Sequence, residues 1–128
     1  MNSLIVDATR DKIFISLIIN QNVYNSSYEN SKINFEKLMI LINDFLKDNK
    51  NTLENLDVIY VNRGPGSFAG IRNSLSMIKA FFLTKNIDYY CFSFLDFDVT
   101  SGVRYEDVPN LCKKFKIKKN LINPIYLS

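Results

Sequence analysis

The 128-residue chain contains no histidine and no tryptophan. Without histidine there is no Ser–His or Cys–His nucleophile pair, no imidazole base near neutral pH and no imidazole metal ligand. A metal would have to rest on carboxylates alone. The two cysteines, Cys91 and Cys112, lie in apolar or basic surroundings without metal-ligand spacing. Both are therefore expected as reduced thiols of a cytoplasmic protein, and the Asn25-Ser26-Ser27 sequon is expected to have no role. No apolar run reaches the roughly 18 residues of a membrane span, and no signal-peptide pattern precedes the first strand-like segment, so no membrane association is expected. With 47% hydrophobic and 23% charged residues the composition is that of a globular domain. Its length suffices to bury roughly two thirds of the unfolded surface in one core.

Glycine is scarce as well, yet three of the four glycines fall within seven residues, in Gly64-Pro65-Gly66-Ser67-Phe68-Ala69-Gly70. This run follows the apolar Val58-Ile59-Tyr60-Val61 and precedes a long amphipathic stretch. Backbone freedom concentrated there serves either a tight turn or the close approach of another molecule. Ser67 is placed to cap the following helix, and the N–H groups of residues 66–69 could face an anion. The run is not a Walker A loop, since no Lys-Ser/Thr follows the glycines, and it is not a Gly-x-Ser-x-Gly elbow. A structural turn is the favoured reading.

Charge is unevenly spread. Residues 113–119, Lys-Lys-Phe-Lys-Ile-Lys-Lys, hold five of the sixteen basic residues and no acid, although the net charge is only +3. Such a patch can attract phosphate backbones, or it can be a solvated face.

Three β-rich runs with short turns, residues 3–7, 12–19 and 23–29, predict an antiparallel meander whose third strand is polar enough for an edge. Phe35, Leu38, Met39, Ile42, Phe45 and Leu46 then recur at helical spacing, predicting one helix over 31–48 with Ser31 or Asn34 as cap. With Leu41 they span an arc of about 160° at about 3.6 residues per turn, wider than a single contact needs. A strand at 56–61, a helix at 67–84 and a strand at 88–94 follow. The order βββαβαβ predicts an α/β, ribonuclease-H-like lobe of the actin/hexokinase type with a mixed five-stranded sheet. A connection at 99–105, a helix at 106–116 with Pro109 in its first turn, and an edge strand at 122–127 complete the chain. The expected division is a lobe at 1–98 and the remnant of a second at 99–128.

The second long helix carries two apolar seams. Phe68, Ile71, Leu75, Ile78 and Phe82 are expected to face the sheet. Gly70, Ser74, Met77 and Phe81 are turned away from it, where they either meet the first helix or, with that helix, form a surface for another protein. Asp7 ends the first strand where ribonuclease-H-like nucleases place a metal-binding carboxylate. Glu36 is one further candidate, but the fourth strand ends in Val61-Asn62, so a two-metal nuclease is disfavoured. Asp7-Ala8-Thr9 also resembles a degraded phosphate turn of actin-like ATPases. A nucleotide-binding or phosphohydrolase enzyme using Asp7, Thr9 and the glycine turn is thus the alternative function.

Residues 62–72, Asn-Arg-Gly-Pro-Gly-Ser-Phe-Ala-Gly-Ile-Arg, resemble the signature of the bacterial TsaB (YeaZ) family, Gly-Pro-Gly-Ser-Phe-Thr-Gly-Ile/Val-Arg, with only Ala69 departing between Gly64 and Arg72. Leu4-Ile5-Val6-Asp7-Ala8-Thr9 is similar to the family's opening strand, Ser93-Phe94-Leu95 to its fifth-strand Ser-x-Leu, and Pro124-Ile125-Tyr126-Leu127 to its terminal Pro-x-Tyr-Leu-Arg. The resemblance implies a non-catalytic subunit of the complex that installs threonylcarbamoyl on the adenosine beside the tRNA anticodon. It implies pairing with the catalytic TsaD subunit through the two lobe helices, with the nucleotide-hydrolysing TsaE subunit joining and tRNA contacted through the complex. The partner-binding residues expected on this basis are Phe35, Leu38, Met39, Ile42, Gly70, Ser74, Met77 and Phe81. Gly64, Pro65, Gly66, Ser67, Phe68, Gly70 and Arg72 form the signature turn, and Asp7 and Thr9 a vestigial phosphate turn. No catalytic residue, metal or cofactor is expected. The family usually has two lobes and a His-Ser/Thr pair opening its first helix, where this chain has Ile33-Asn34. A shortened form lacking most of the second lobe is expected, and the same helical surface could also join two copies of the chain.

Overall fold

Leu4, Ile5 and Val6 are apolar on both sides of a strand, which requires cover on both faces of the sheet. The computed structural model describes residues 1–98 and 102–126, with the Phe35 side chain also outside the described set, and it supplies that cover. Strands β1 (Asn2–Asp7), β2 (Lys12–Ile19), β3 (Asn22–Glu29), β4 (Val58–Asn62) and β5 (Asp88–Phe92) form one sheet in the order β3-β2-β1-β4-β5. The first three are antiparallel neighbours, as short turns allow, while β4 runs parallel to both β1 and β5. β3 is the polar outer strand, as expected.

Side-chain alternation divides the core in two. Leu4, Val6, Ile13, Ile15, Leu17, Ile59 and Val61 point to the larger cluster, which lies under α1 (Lys32–Glu36), α2 (Leu38–Asp48) and α3 (Phe68–Lys85). Ile5, Val58, Tyr60 and Phe92 point the other way, onto Val108 and Cys112 of α4 (Val108–Lys114). The segment after residue 101 therefore packs on the sheet and supplies its second layer. Asn120 covers the β5 edge, its N–H donating to the Tyr89 carbonyl at 2.8 Å and its Oδ1 accepting from Tyr89 N–H at 2.9 Å.

Several boundaries differ from the sequence reading. The single helix expected over 31–48 is bent at Lys37 (φ −98°, ψ 11°), although Lys37 N–H still donates to Ile33 O at 3.0 Å and Leu41 N–H to Lys37 O at 2.9 Å. No Pro or Gly stands there to announce it. Of the two cap candidates, Ser31 is the one used, accepting from Asn34 N–H at 3.2 Å. β4 begins two residues late because Leu53–Asn55 forms a 3₁₀ turn, and β5 stops at Phe92 because Ser93 starts another, Phe94–Asp96. The helix expected over 106–116 is shorter, with Tyr105–Asp107 a 3₁₀ turn ahead of α4 and Pro109 in the first turn of α4 as expected. No strand forms over residues 122–126; Leu127 lies outside the described residues, as do 99–101 of the expected connection. Pro124 has no N–H for a ladder, and the Arg63 guanidinium takes the Asn123 carbonyl instead.

Candidate functional site

β1 and β4 are parallel neighbours with Val6 beside Val61, so Asp7 and Asn62 finish side by side at the carboxyl edge of the sheet. Asp7 is buried, and each of its oxygens has two donors. Oδ1 accepts from the Thr9 N–H at 2.9 Å and the Thr9 hydroxyl at 2.6 Å. Oδ2 accepts from Asn62 Nδ2 at 3.0 Å and from the Tyr105 hydroxyl at 2.5 Å. Four donors meet the demand of a buried carboxylate, and they leave it little capacity for a ligand. Tyr105 stacks on Phe14 with centroids 4.2 Å apart. Burial, then the Asp7 charge, push its hydroxyl well above the ordinary tyrosine range, so it keeps the proton it donates.

The other end of the Asn62 amide starts the signature turn, Oδ1 accepting from Gly64 N–H at 2.9 Å in an Asx turn. Gly66 then passes directly against the first hairpin. A Cβ there would stand 2.3 Å from the Thr9 carbonyl oxygen, to which Ser67 N–H donates at 2.9 Å. Gly64 adopts φ +111°, and a Cβ on it would meet the Ile125 carbonyl oxygen at 2.1 Å. The Gly64–Pro65 bond is cis. Ser67 Oγ caps α3 by accepting from Gly70 N–H at 3.2 Å, as the sequence suggested. The close approach that these glycines serve is that of the protein's own segments.

Arg63 extends the node. Its guanidinium reaches both Asp96 oxygens, at 2.5 and 3.3 Å, and the Asn123 carbonyl at 3.0 Å. Its own carbonyl accepts from Ile125 N–H at 2.7 Å. Both members of the pair are largely buried, so this bidentate contact fixes Asp96 on the turn, while the bonds to Asn123 and Ile125 hold the last described segment there. Phe68 belongs to the same assembly: expected on the sheet side, it is 53% exposed and rests on Tyr126, centroids 4.7 Å apart. Arg72 is exposed beside Phe68 and Ala69. Among the described residues, no three His, Cys, Asp or Glu side chains converge as a cation site, and Glu36 is exposed and does not approach Asp7.

The helical seam departs from expectation. Gly70, Ser74, Met77 and Phe81 are buried, as are Leu38 and Ile42, in the cluster between sheet and helices. Small side chains at 70 and 74 let α1 and α2 close over α3, so the seam is filled within the chain. Met39 does remain open at 45%, and Ile40 and Leu83 are 57% and 71% exposed. A groove of about 590 Å³ between α2 and the end of α3 is lined by Met39, Asn43, Leu53, Phe81 and Lys85. The Phe35 side chain lies outside the described residues.

Sequence reasoning missed Tyr105, Asn62 and the Arg63–Asp96 pair. Asn-x-Gly at 62–64 is a legible Asx-turn signal. Nothing local marks Tyr105, whose partner is 98 positions away.

The sheet order, the node where the β1–β2 hairpin meets the turn after β4, and the helical layer define a ribonuclease-H-like lobe of the actin/hexokinase type. Residues 27–112 match the family model described as TsaD: tRNA N6-adenosine threonylcarbamoyltransferase, and the chain belongs to that family, as a member of its TsaB/YeaZ group. It is similar to the tRNA threonylcarbamoyladenosine biosynthesis protein TsaB of Buchnera aphidicola subsp. Baizongia pistaciae (strain Bp), 29% identical over 86 residues that cover 67% of this chain and 39% of that protein. The structure of YeaZ from Pseudomonas aeruginosa superposes with a TM-score of 0.66 at 18% identity, over 72% of this chain and 43% of the other. A Pseudomonas aeruginosa protein described as uncharacterized, with similarity to peptidase YEAZ, gives the same values. The chain thus spans about two fifths of the length of these relatives.

Proposed function

We propose that this chain is a non-catalytic subunit in tRNA threonylcarbamoyladenosine biosynthesis that pairs with a TsaD-like catalytic subunit through the outer face of α1–α3. The observation that carries the reading is the apolar exposure of these helices, with Met39 open on the groove that Phe81 lines and Ile40 and Leu83 exposed elsewhere on α2 and α3. A fold of this size does not gain from leaving those side chains in water. The likeness to the Buchnera biosynthesis protein supports the pathway, and the match to the TsaD family supports the nature of the partner. The saturated Asp7 supports the non-catalytic part: its carboxylate and the Thr9 hydroxyl are committed to each other, to Asn62 and to Tyr105.

Relative to the sequence reading, the contact moves outward. Leu38, Ile42, Gly70, Ser74 and Met77 support the face from beneath, while Met39, Ile40 and Leu83 meet the partner. Co-expression with the cognate TsaD-like subunit followed by size-exclusion chromatography tests this. Co-elution at micromolar concentration is expected, and it is weakened at least tenfold by Met39→Arg with Leu83→Arg. Separate elution of the unmodified pair would sink the reading, and a stable pair of identical chains on the same face would replace it.

A further inference from the structure

The sheet face opposite α1–α3 carries a second feature that pairing does not use. α4 ends in a tight reversal: Phe115 N–H donates to Leu111 O and Ile117 N–H to Cys112 O, both at 2.9 Å, with Lys116 left-handed at φ 54°. The reversal turns Cys112, Phe115 and Ile117 onto the second core cluster and leaves Lys113, Lys114, Lys116, Lys118 and Lys119 exposed. Among the described residues only Lys119 of the five has an acidic partner within 4 Å, Asp88 at 3.6 Å. Anchoring the apolar residues explains the alternation, but it does not require a lysine at each outward position. Between the lysines and the sheet lies a cleft of about 540 Å³. Partly exposed Tyr90 lines it, backed by the buried Tyr60 ring stacked on it across β4 and β5 with centroids 5.3 Å apart, and Lys113 and Lys116 border it. Asp57 and Asp88 stand in the adjoining groove beyond the same tyrosines.

We propose that this cleft and the lysine turn seat a single strand of RNA, its phosphates over Lys113, Lys114, Lys116 and Lys118 and one base against Tyr90. Charge and shape act together here. The lysines attract a phosphate backbone, and an aromatic floor beside a basic rim is the arrangement that binds unpaired bases. The volume falls in the range that small ligands of nucleotide size occupy. A duplex holds its bases inside and cannot use the floor, and an anionic lipid surface would engage the lysines alone. Asp57 and Asp88 repel phosphate, so the strand leaves the cleft on the lysine side. The choice of RNA rests on the pathway proposed above; the seat itself rests on the cleft.

Fluorescence anisotropy of the whole chain with a labelled 12-nucleotide RNA strand, at several salt concentrations and without the catalytic subunit, tests it. Four phosphate contacts predict a slope of log affinity against log salt of about −3 for a single strand. Lys113→Glu with Lys116→Glu is expected to lower affinity at least tenfold and roughly halve that slope. Tyr90→Leu is expected to lower affinity about fivefold with the slope unchanged, the loss of one stacked base. Lys12→Glu with Lys79→Glu makes the same charge change away from the cleft and is expected to leave binding within twofold, with thermal melts checking that every variant folds. The proposal is overturned if the strand does not bind at low salt, if both charge-reversal pairs weaken binding equally, or if the matching RNA duplex or phosphatidylglycerol vesicles compete as well as the strand. Any of these failures leaves the co-elution result untouched, so the two proposals fail separately.

Discussion

Gly66 is defined by an atom it lacks. A Cβ would lie 2.3 Å from the Thr9 carbonyl oxygen and 2.7 Å from the Thr9 Cβ, and relief would separate Ser67 N–H from that same carbonyl. Gly66→Ala is therefore expected to cost at least about 2 kcal/mol in urea unfolding, as an overpacked site does. The hydroxyl of Tyr105 supplies one of four donors to a buried carboxylate. Tyr105→Phe should cost about 1.5–3 kcal/mol, the range for hydrogen bonds to charged groups. With Asp7→Asn in a double-mutant cycle the two losses should not add, and additivity would mean the contact contributes nothing. At this scale the glycine cluster was legible as a turn, since backbone freedom is written in composition. Tyr105 was not legible, because the residue that selects it lies across the fold.

The two-seam helix shows what periodicity can and cannot supply at the scale of the element. Helical spacing gives the angle between Ile71-Leu75-Ile78 and Gly70-Ser74-Met77-Phe81, and both stripes are apolar as read. What covers each stripe depends on the approach of α1 and α2, which small residues at 70 and 74 permit but do not announce. The bend at Lys37 is part of that approach and has no sequence mark. Ser74→Arg would bring a guanidinium into a site with 0% exposure, so loss of soluble, cooperatively folding protein is expected in thermal melts. Met39→Arg should leave the melt unchanged, since Met39 already meets solvent. The terminal strand failed for a local reason, with Pro124 removing a donor and Arg63 holding Asn123 instead.

Across the whole molecule, two layers cover one sheet, and the groups sealed between them set its response to alkali. Burial raises the Cys91 and Cys112 thiols from 9.0 to about 12, and Tyr60 from 10.0 to about 12. In the unfolded chain these groups release protons from about pH 9 upward, whereas the native state retains them. Unfolding then releases protons, so stability falls as pH rises. The melting temperature should hold up to about pH 8.5 and decline from there toward pH 12, and Cys91→Ala with Cys112→Ala should delay the onset. An unchanged onset in that variant would mean that the thiols are not the groups responsible.

The order of the five sheet strands, the polar edge, the capped turn and the family signature were all determined by the sequence itself. Each is a matter of local chemistry: side-chain alternation, helical spacing, and glycines where the chain must turn. Which apolar side chains stay open, how Asp7 is satisfied, and what the lysines border were decided only by the tertiary structure. Those outcomes join residues such as Asp7 and Tyr105, or Tyr60 and Lys113, that meet only after the sheet has ordered and α4 has closed over it. Periodicity fixes directions along one element; exposure and hydrogen-bond satisfaction depend on what arrives from another.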